Sequence, residues 1–327
     1  MSLAVTHANP SAALRFVRGV NVGLAVFLVL YGTIAVLQPG YFEVEGFLNF
    51  LRRAAPLIIL ACGQLFVIAG GGFDLSMGSL VTLTVLGGSM LAGGNPDNTW
   101  WTIGVLYLIG LGVGLVNGLV VTLLKVPSII ATLGMLLSLN GAALMWSGGA
   151  PRGYLPENFR ALGRLVYRDV PVTGIMPLSV LILIIFVAIA AWLLHATVFG
   201  RQVLAVGDNP RAAELSGVPV GATRVLVFVI SALSAVTAGI LLGGFAGVST
   251  AVGQGLELQA IAACVIGGAQ LLGGRASVTG AVAGALSLFA LFTLLNLMGL
   301  PQPLRETVQG LILIAAVASS AWRMRRT

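Results

Sequence analysis

Few side chains in this 327-residue chain could do chemistry, and most of those are set among apolar runs. Asp74 and Glu257 are the ionisable residues that fall within such runs, each near the end of one. A carboxylate there is costly, so it is expected either to start a helix or to line a polar path. Lys125 is the only lysine, and no glycine loop precedes it that could wrap a phosphate. Two histidines, His7 and His195, do not make a metal set or a proton relay. Cys62 and Cys264 lack metal-ligand spacing and read as small packing residues. No nucleophile–base pair, metal-ligand group or nucleotide loop emerges, so the sequence reads as a protein that is not an enzyme.

One polar stretch has evident local design, the loop 198–223. Asp208 or Asn209 can cap a helix there, Pro210 fits its first turn, and Gly217 suits a left-handed ending. The spacing predicts a helix of about two turns on an exposed connector, with Arg211 and Glu214 on it. It reads either as a plain surface link or as a peg for a soluble partner.

The elements that must hold these residues are set by composition. The chain is 58% hydrophobic and 8% charged, with 44 glycines, against about a quarter charged residues in a typical soluble domain. So much apolar surface cannot be hidden in a water-soluble fold of this length, and lipid is the solvent for most of it. The glycines lie inside apolar runs, where small residues let helices approach closely in lipid. Apolar segments at 20–37, 54–70, 76–92, 101–123, 128–147, 177–197, 224–247, 257–272, 276–296 and 307–322 predict an all-α polytopic membrane protein of about ten transmembrane helices. Two of them, 54–70 and 257–272, are short and end in glycine clusters, which points to broken or tilted helices. The first run is longer than a signal-peptide core and has no cleavage site after it, so it is expected to stay as a span.

The domain reading is therefore a cytoplasmic segment 1–19, one transmembrane domain 20–322 with the cytoplasmic loop 198–223, and a basic tail 323–327. A modest excess of loop arginines on the side shared by both ends favours cytoplasmic termini. The net charge of +7 is dispersed apart from Arg323, Arg325 and Arg326, so it fits topology and anionic lipid rather than nucleic acid. Scarce intramembrane carboxylates speak against ion coupling.

Four stretches together carry a family resemblance. Gly70-Gly71-Gly72-Phe73-Asp74-Leu75-Ser76-Met77-Gly78-Ser79 resembles the Gly-Gly-Ile-Asp-Leu-Ser-Val-Gly-Ser signature of permeases from monosaccharide ABC importers, the ribose, xylose, arabinose and galactose group. Val126-Pro127-Ser128-Ile129-Ile130-Ala131-Thr132-Leu133-Gly134 resembles the Pro-x-x-Ile-Ala-Thr-Leu-Gly run of that family. Gly255-Leu256-Glu257-Leu258-Gln259-Ala260-Ile261-Ala262-Ala263-Cys264-Val265-Ile266-Gly267-Gly268, continuing to Gly273-Gly274-Arg275, is similar to a third motif, and 198–223 resembles the coupling loop. The motifs occur in the family's order over about residues 50–320; Phe73 stands where isoleucine is usual, and Ala269-Gln270-Leu271 replaces a more common Thr-Ser-Leu/Phe.

The resemblance implies a multi-pass subunit of the bacterial plasma membrane that pairs with a second copy or close relative. It implies a separate cytoplasmic ATPase that holds ATP and Mg, with no cofactor on this chain, and a periplasmic or extracellular solute-binding protein. Asp208, Asn209, Pro210, Arg211, Glu214 and Gly217 would meet the ATPase. Gly71, Gly72, Asp74, Ser76, Gly78, Glu257, Gly267, Gly268 and Gly274 would serve gating or structure, with Asp74 favoured as a helix-starting acid and Glu257 as a cap at the outer end of the eighth span. Gln64, Asn117 and Asn140 are candidates for a sugar path, because hydroxyls need uncharged hydrogen-bond partners; each could equally be a packing hydrogen bond. The alternatives are an ABC permease for nucleosides or another small polar solute, and a self-sufficient secondary transporter or channel.

Overall fold

The computed structural model describes residues 22–301 and, beyond them, 303, 304, 307, 308, 310, 311 and 314. The segment 1–19, the tail 323–327 and most of the tenth apolar stretch, 307–322, lie outside the described residues. The elements are α1 (Val22–Leu37), α2 (Val44–Ala69), α3 (Met77–Ala92), α4 (Thr99–Leu123), α5 (Ser128–Ser147), α6 (Glu157–Arg164), β1 (Val166–Val170), β2 (Gly174–Pro177), α7 (Leu178–Ala196), α8 (Val198–Asp208), α9 (Pro210–Leu215), α10 (Val220–Phe245), α11 (Leu256–Ile266) and α12 (Val278–Leu297). Among the described residues six helices are long and apolar enough to cross a membrane, and α1, α3 and α11 are shorter apolar helices.

Burial ranks these helices. In the most apolar stretch of α2, 83% of residues are buried, against 17% in α5, so α2 is an axis of the bundle and α5 is at its edge. The second axis, α10, runs antiparallel to α2: Gly63 faces Ser234, and Gly70 faces Val227. Their close approach depends on the missing side chain at Gly63, where even a methyl group would collide with the Ser234 hydroxyl. Helix α4 docks on α10 through Gly110, Gly114 and Gly118, one face at four-residue spacing, against Val236, Val229 and Val225. Without a hydrophobic drive between helices in lipid, such backbone contact supplies the packing. Both cysteines are buried, and the Cys264 thiol donates to the Ala61 carbonyl at 3.2 Å, tying α11 to α2.

One expectation changes. Segment 54–70 is not a short span: α2 begins ten residues earlier at Val44, so Arg52 and Arg53 are helical rather than loop residues. Its first turns carry Glu45, Asn49, Arg52 and Arg53, which hide the helix from a hydropathy reading although helix propagation does not need apolar side chains. The 148–176 loop is partly ordered, holding α6 and the antiparallel β1–β2 hairpin. Phe159 of α6 is fully buried, and Gly163 lies against the Leu241 carbonyl and Gly244 of α10. The expectation of a short, broken helix at 257–272 holds: α11 has eleven residues, about 16 Å or half a bilayer core, and ends at Gly267.

The packing of α4 yields a contrast within one helix. A methyl at Gly114 would sit 2.6 Å from the Val229 Cα, whereas Gly104 has open space. Gly114→Ala is expected to cost about 1–3 kcal/mol and to lower the thermal midpoint in detergent. Gly104→Ala is expected to leave it unchanged or raise it slightly. Equal midpoints for the two variants would show that α4 is not held by this face.

Candidate functional site

Between α2 and α3 the chain is not helical. Residues 72–76 turn back beside the end of α2 as an irregular strand, and α3 starts only at Met77. Irregular backbone at membrane depth is tolerated only where protein groups satisfy it. Here side chains of α2 and α5 do so, and side chains of α4 and α10 hold the segment's own polar side chains. The Phe73 N–H donates to Ser128 Oγ (3.1 Å), and the Leu75 N–H donates to Thr132 Oγ1 (3.0 Å), both on α5. The Gln64 amide on α2 clasps the Asp74 backbone, accepting from its N–H and donating to its carbonyl, each at 3.2 Å. Asp74 Oδ1 accepts from the Ser76 N–H (2.9 Å) and Ser76 Oγ (2.6 Å), while Oδ2 accepts from Ser231 Oγ on α10 (2.7 Å). Asn117 on α4 donates to Ser76 Oγ at 2.9 Å.

Asp74 is thus fully buried and hydrogen-bonded at both oxygens. Its depth follows from its partner: Ser231 is about 16 Å along α10 from Val220, near the middle of a core of about 30 Å. Gln64 and Asn117 are buried in this network, whereas Asn140 is exposed on α5 beside Gly134, Ser138 and Gly141, which are also exposed. Of the three neutral polar candidates, only Asn140 therefore faces away from the chain.

The start of α3 meets a second break. After α10 ends at Phe245 the chain folds back through 246–255 and begins α11 beside Gly78, not at the far end of the bundle. The Gly253 N–H donates to Thr82 Oγ1 (3.1 Å), and the Glu257 carboxylate lies against Gly78, leaving no room for a side chain there. Glu257 lies in the first turn of its helix as expected, but that turn is placed against Gly78 at the start of α3 rather than at an outer end. A pattern visible in the residues marks both breaks. Gly72-Phe73-Asp74-Leu75-Ser76 follows 26-residue α2, and Gly255-Leu256-Glu257-Leu258-Gln259 follows 26-residue α10. Since α2 and α10 are antiparallel, the two halves are inverted, the arrangement in which broken helices meet near a bilayer midplane.

The loop 198–223 contains two helices. Thr197 caps α8 by accepting from the Gly200 N–H (3.1 Å), an element the sequence reading lacked. Of the two possible caps for the next helix, the cap is Asn209, whose Oδ1 accepts from the N–H groups of Arg211 and Ala212, both at 3.0 Å; Asp208 ends α8 instead. Pro210 opens α9. The helix closes with Val218 N–H donating to the Ala213 carbonyl and Gly217 N–H to the Glu214 carbonyl, both 3.0 Å, with Gly217 at φ +81°. This is a Schellman closure, and open space around Gly217 means that conformation, not crowding, calls for glycine. Arg211 and Glu214 pair at 2.8 Å on the exposed face.

Glycines join the two regions. Gly207 in α8 lies against the Ala69 carbonyl at the end of α2 and against Gly273 and Gly274. The Gly274 N–H donates to the Ala69 carbonyl at 3.1 Å, and Gly71 lies near Gly207 and Leu272. Helix α8 is therefore in backbone contact with the segment leading into α3 and with the loop leaving α11. In that loop, Gly267 and Gly280 bring the chain back against the start of α12, and Gly268 turns at φ +88°. The sequence reading included Gly71 and Gly274 but not Gly207 and Gly273, because nothing local in the sequence ties an α8 residue to the others.

The Asp74 network predicts that Ser231→Ala, which strands a buried carboxylate oxygen, costs about 1–3 kcal/mol. A double-mutant cycle with Asp74→Asn, read by thermal midpoint, is expected to show coupling between the two positions; additive effects would remove the bond from the stability account.

Comparison with known proteins follows this geometry. A family model described as branched-chain amino acid transport system / permease component matches residues 46–317. Among relatives, the autoinducer 2 import system permease protein LsrC of Enterobacter sp. (strain 638) is 37% identical over 295 residues, 89% of this chain and 83% of the relative. The protein of the same name from Klebsiella pneumoniae is 36% identical over 291 residues, covering 89% and 83%, and that from Photorhabdus luminescens is 34% identical over 298 residues, covering 90% and 87%. No solved structure matches the chain. With a family model covering most of its length and a membrane-spanning bundle built around two inverted broken segments, the chain belongs to this family of ABC-importer permease components, multi-pass proteins of the bacterial plasma membrane.

Proposed function

We propose that this permease carries a small, uncharged, polyhydroxylated solute inward, a sugar or a sugar-like molecule such as autoinducer 2, driven by ATP hydrolysis on a separate subunit. The observation that carries this reading is the capped helix α9, an exposed peg whose neighbour α8 touches, through Gly207, the turn leading into the first broken segment and the loop leaving α11. A self-sufficient carrier has no use for such a peg. ATP and Mg would reside on the ATPase, and this chain would bind neither. Closure of that ATPase would push α9 and α8, and the Gly71–Gly207–Gly274 contacts would pass the movement to α3 and α11.

A second copy, or a close relative, would pack on the exposed face of α5. Gly134, Ser138 and Gly141 make one exposed row at helical spacing that suits a helix contact, and the exposed Asn140, about a third of a turn away, carries an amide that is costly in lipid and suits a polar path. A solute-binding protein would deliver the solute at the end opposite α9, where α6 and the β1–β2 hairpin stand. The names of the relatives support the solute class.

The experiment is recovery of the tagged chain from its native cells in mild detergent, followed by uptake in liposomes. Near-stoichiometric recovery of a P-loop ATPase with ATP-dependent uptake is expected. Recovery of the chain alone, with uptake that needs no ATP, would overturn the reading. In the same liposomes, Gly217→Ala strains the left-handed closure by about 1–2 kcal/mol. That variant and Glu214→Ala are expected to lower solute moved per ATP hydrolysed while the thermal midpoint stays near wild type.

A further inference from the structure

Beside α9 there is a cavity of about 710 Å³. Its walls come from four places: Gly71 after α2, Lys125 and Pro127 in the α4–α5 connection, Arg211 and Glu214 on α9, and Arg224 in the first turns of α10. Three of these side chains are cationic and one is anionic. The anion is already used, since Glu214 holds Arg211 at 2.8 Å. Among the described residues neither Lys125 nor Arg224 has a carboxylate within salt-bridge distance. The chain has one acidic side chain outside the described residues, Glu306.

Lys125 also occupies an unfavourable backbone position. It follows the end of α4 at φ +54°, one of three non-glycine residues with positive φ among the described residues. A helix ending there is usually made by glycine, which adopts this conformation without a Cβ penalty. The chain instead spends its single lysine on it. A strained position that keeps a charged side chain is a reason to look for what the charge meets.

We propose that Lys125 and Arg224 together receive an acidic side chain of the ATPase subunit, which would then grip the permease at this cavity as well as at α9. The inference rests on the reading that the chain works with an ATPase. Charge selects the partner: two cations without carboxylates call for an anion, and one wall of the cavity is the exposed helix α9, which lies outside the spans and carries the exposed Arg211–Glu214 pair. The position gives the contact leverage. Three residues beyond Lys125, Ser128 accepts from the Phe73 N–H in the broken segment at 3.1 Å. An anion held by Lys125 and Arg224 would tie the α4–α5 connection to the start of α10, on either side of that segment. Lipid phosphate is the competing anion, and the test separates it.

The test uses the assembly recovered through the tagged permease from its native cells, reconstituted in nanodiscs with and without phosphatidylglycerol. ATPase retained per permease is measured across about 0.05–0.5 M salt, a range over which exposed charge pairs are progressively screened. Wild type, Lys125→Gly, Arg224→Gln and the double variant are compared, with the permease thermal midpoint recorded for each. Lys125→Gly relieves the backbone, so its midpoint is expected to equal or exceed that of wild type. The double variant is expected to bind the ATPase about tenfold more weakly, with a shallower salt dependence, in both lipid compositions. Retention and salt dependence equal to wild type would overturn the second contact while leaving the ATP-driven reading intact. An effect confined to phosphatidylglycerol nanodiscs would assign the cations to lipid headgroups and overturn it as well. Wild-type permease that recovers no ATPase would overturn both readings.

Discussion

Backbone amides and carbonyls at the centre of a bilayer have no water to turn to, and that constraint organises this protein. The segment 72–76 leaves the helix at that depth. It persists because Gln64, Ser128, Thr132 and Ser231 reach it from α2, α5 and α10, and Asn117 secures Ser76 from α4. The bundle can be understood as the arrangement that brings these donors and acceptors together. Glycines at the α2–α10 and α4–α10 contacts then let the helices close to the required distance.

The same constraint explains why the second break is built differently. Around 246–255 the chain returns toward the start of α3, and Gly253 and Gly78 are in backbone contact, with Thr82 accepting from Gly253. One break is satisfied by side chains from surrounding helices, the other largely by its own turn hydrogen bonds, such as Gln254 N–H to the Ala251 carbonyl at 3.1 Å and Leu256 N–H to the Gly253 carbonyl at 3.2 Å, with Thr82 added from α3. Glu257, in the first turn of α11, sits where an acidic side chain favours a helix start. Two short helices therefore begin within reach of each other, and each is joined to the end of the molecule that holds α8 and α9 by a glycine-rich turn.

Those turns account for how a surface helix could matter to residues in the core. Helix α9 is only six residues long and makes few apolar contacts of its own, so its position is set by its caps and by α8. Helix α8 in turn ends against backbone, not against flexible side chains, because Gly207, Gly273 and Gly274 remove what would otherwise cushion the contact. A displacement there has little slack to absorb it, as expected of packed interiors in which atoms have few voids to enter.

Local chemistry was legible in the residues alone. The apolar runs identified the membrane and most spans, since burying twenty apolar residues per crossing leaves little choice of solvent. Asn209, Pro210 and Gly217 announced α9, because caps act within a few residues of themselves. The repeated Gly-apolar-acid-Leu-polar pattern at Asp74 and Glu257 was present too, and its meaning depends on the antiparallel setting of α2 and α10. What only the tertiary structure decided were the relations between distant segments. The first turns of α2 were hidden by their charges, α8 by its position in a polar connector, and the roles of Ser128, Thr132 and Ser231 by lying 55, 57 and 157 residues from their partners. A hydrogen bond carries no record in the sequence of which remote group completes it; that is settled when the helices pack and every buried polar group must find a partner.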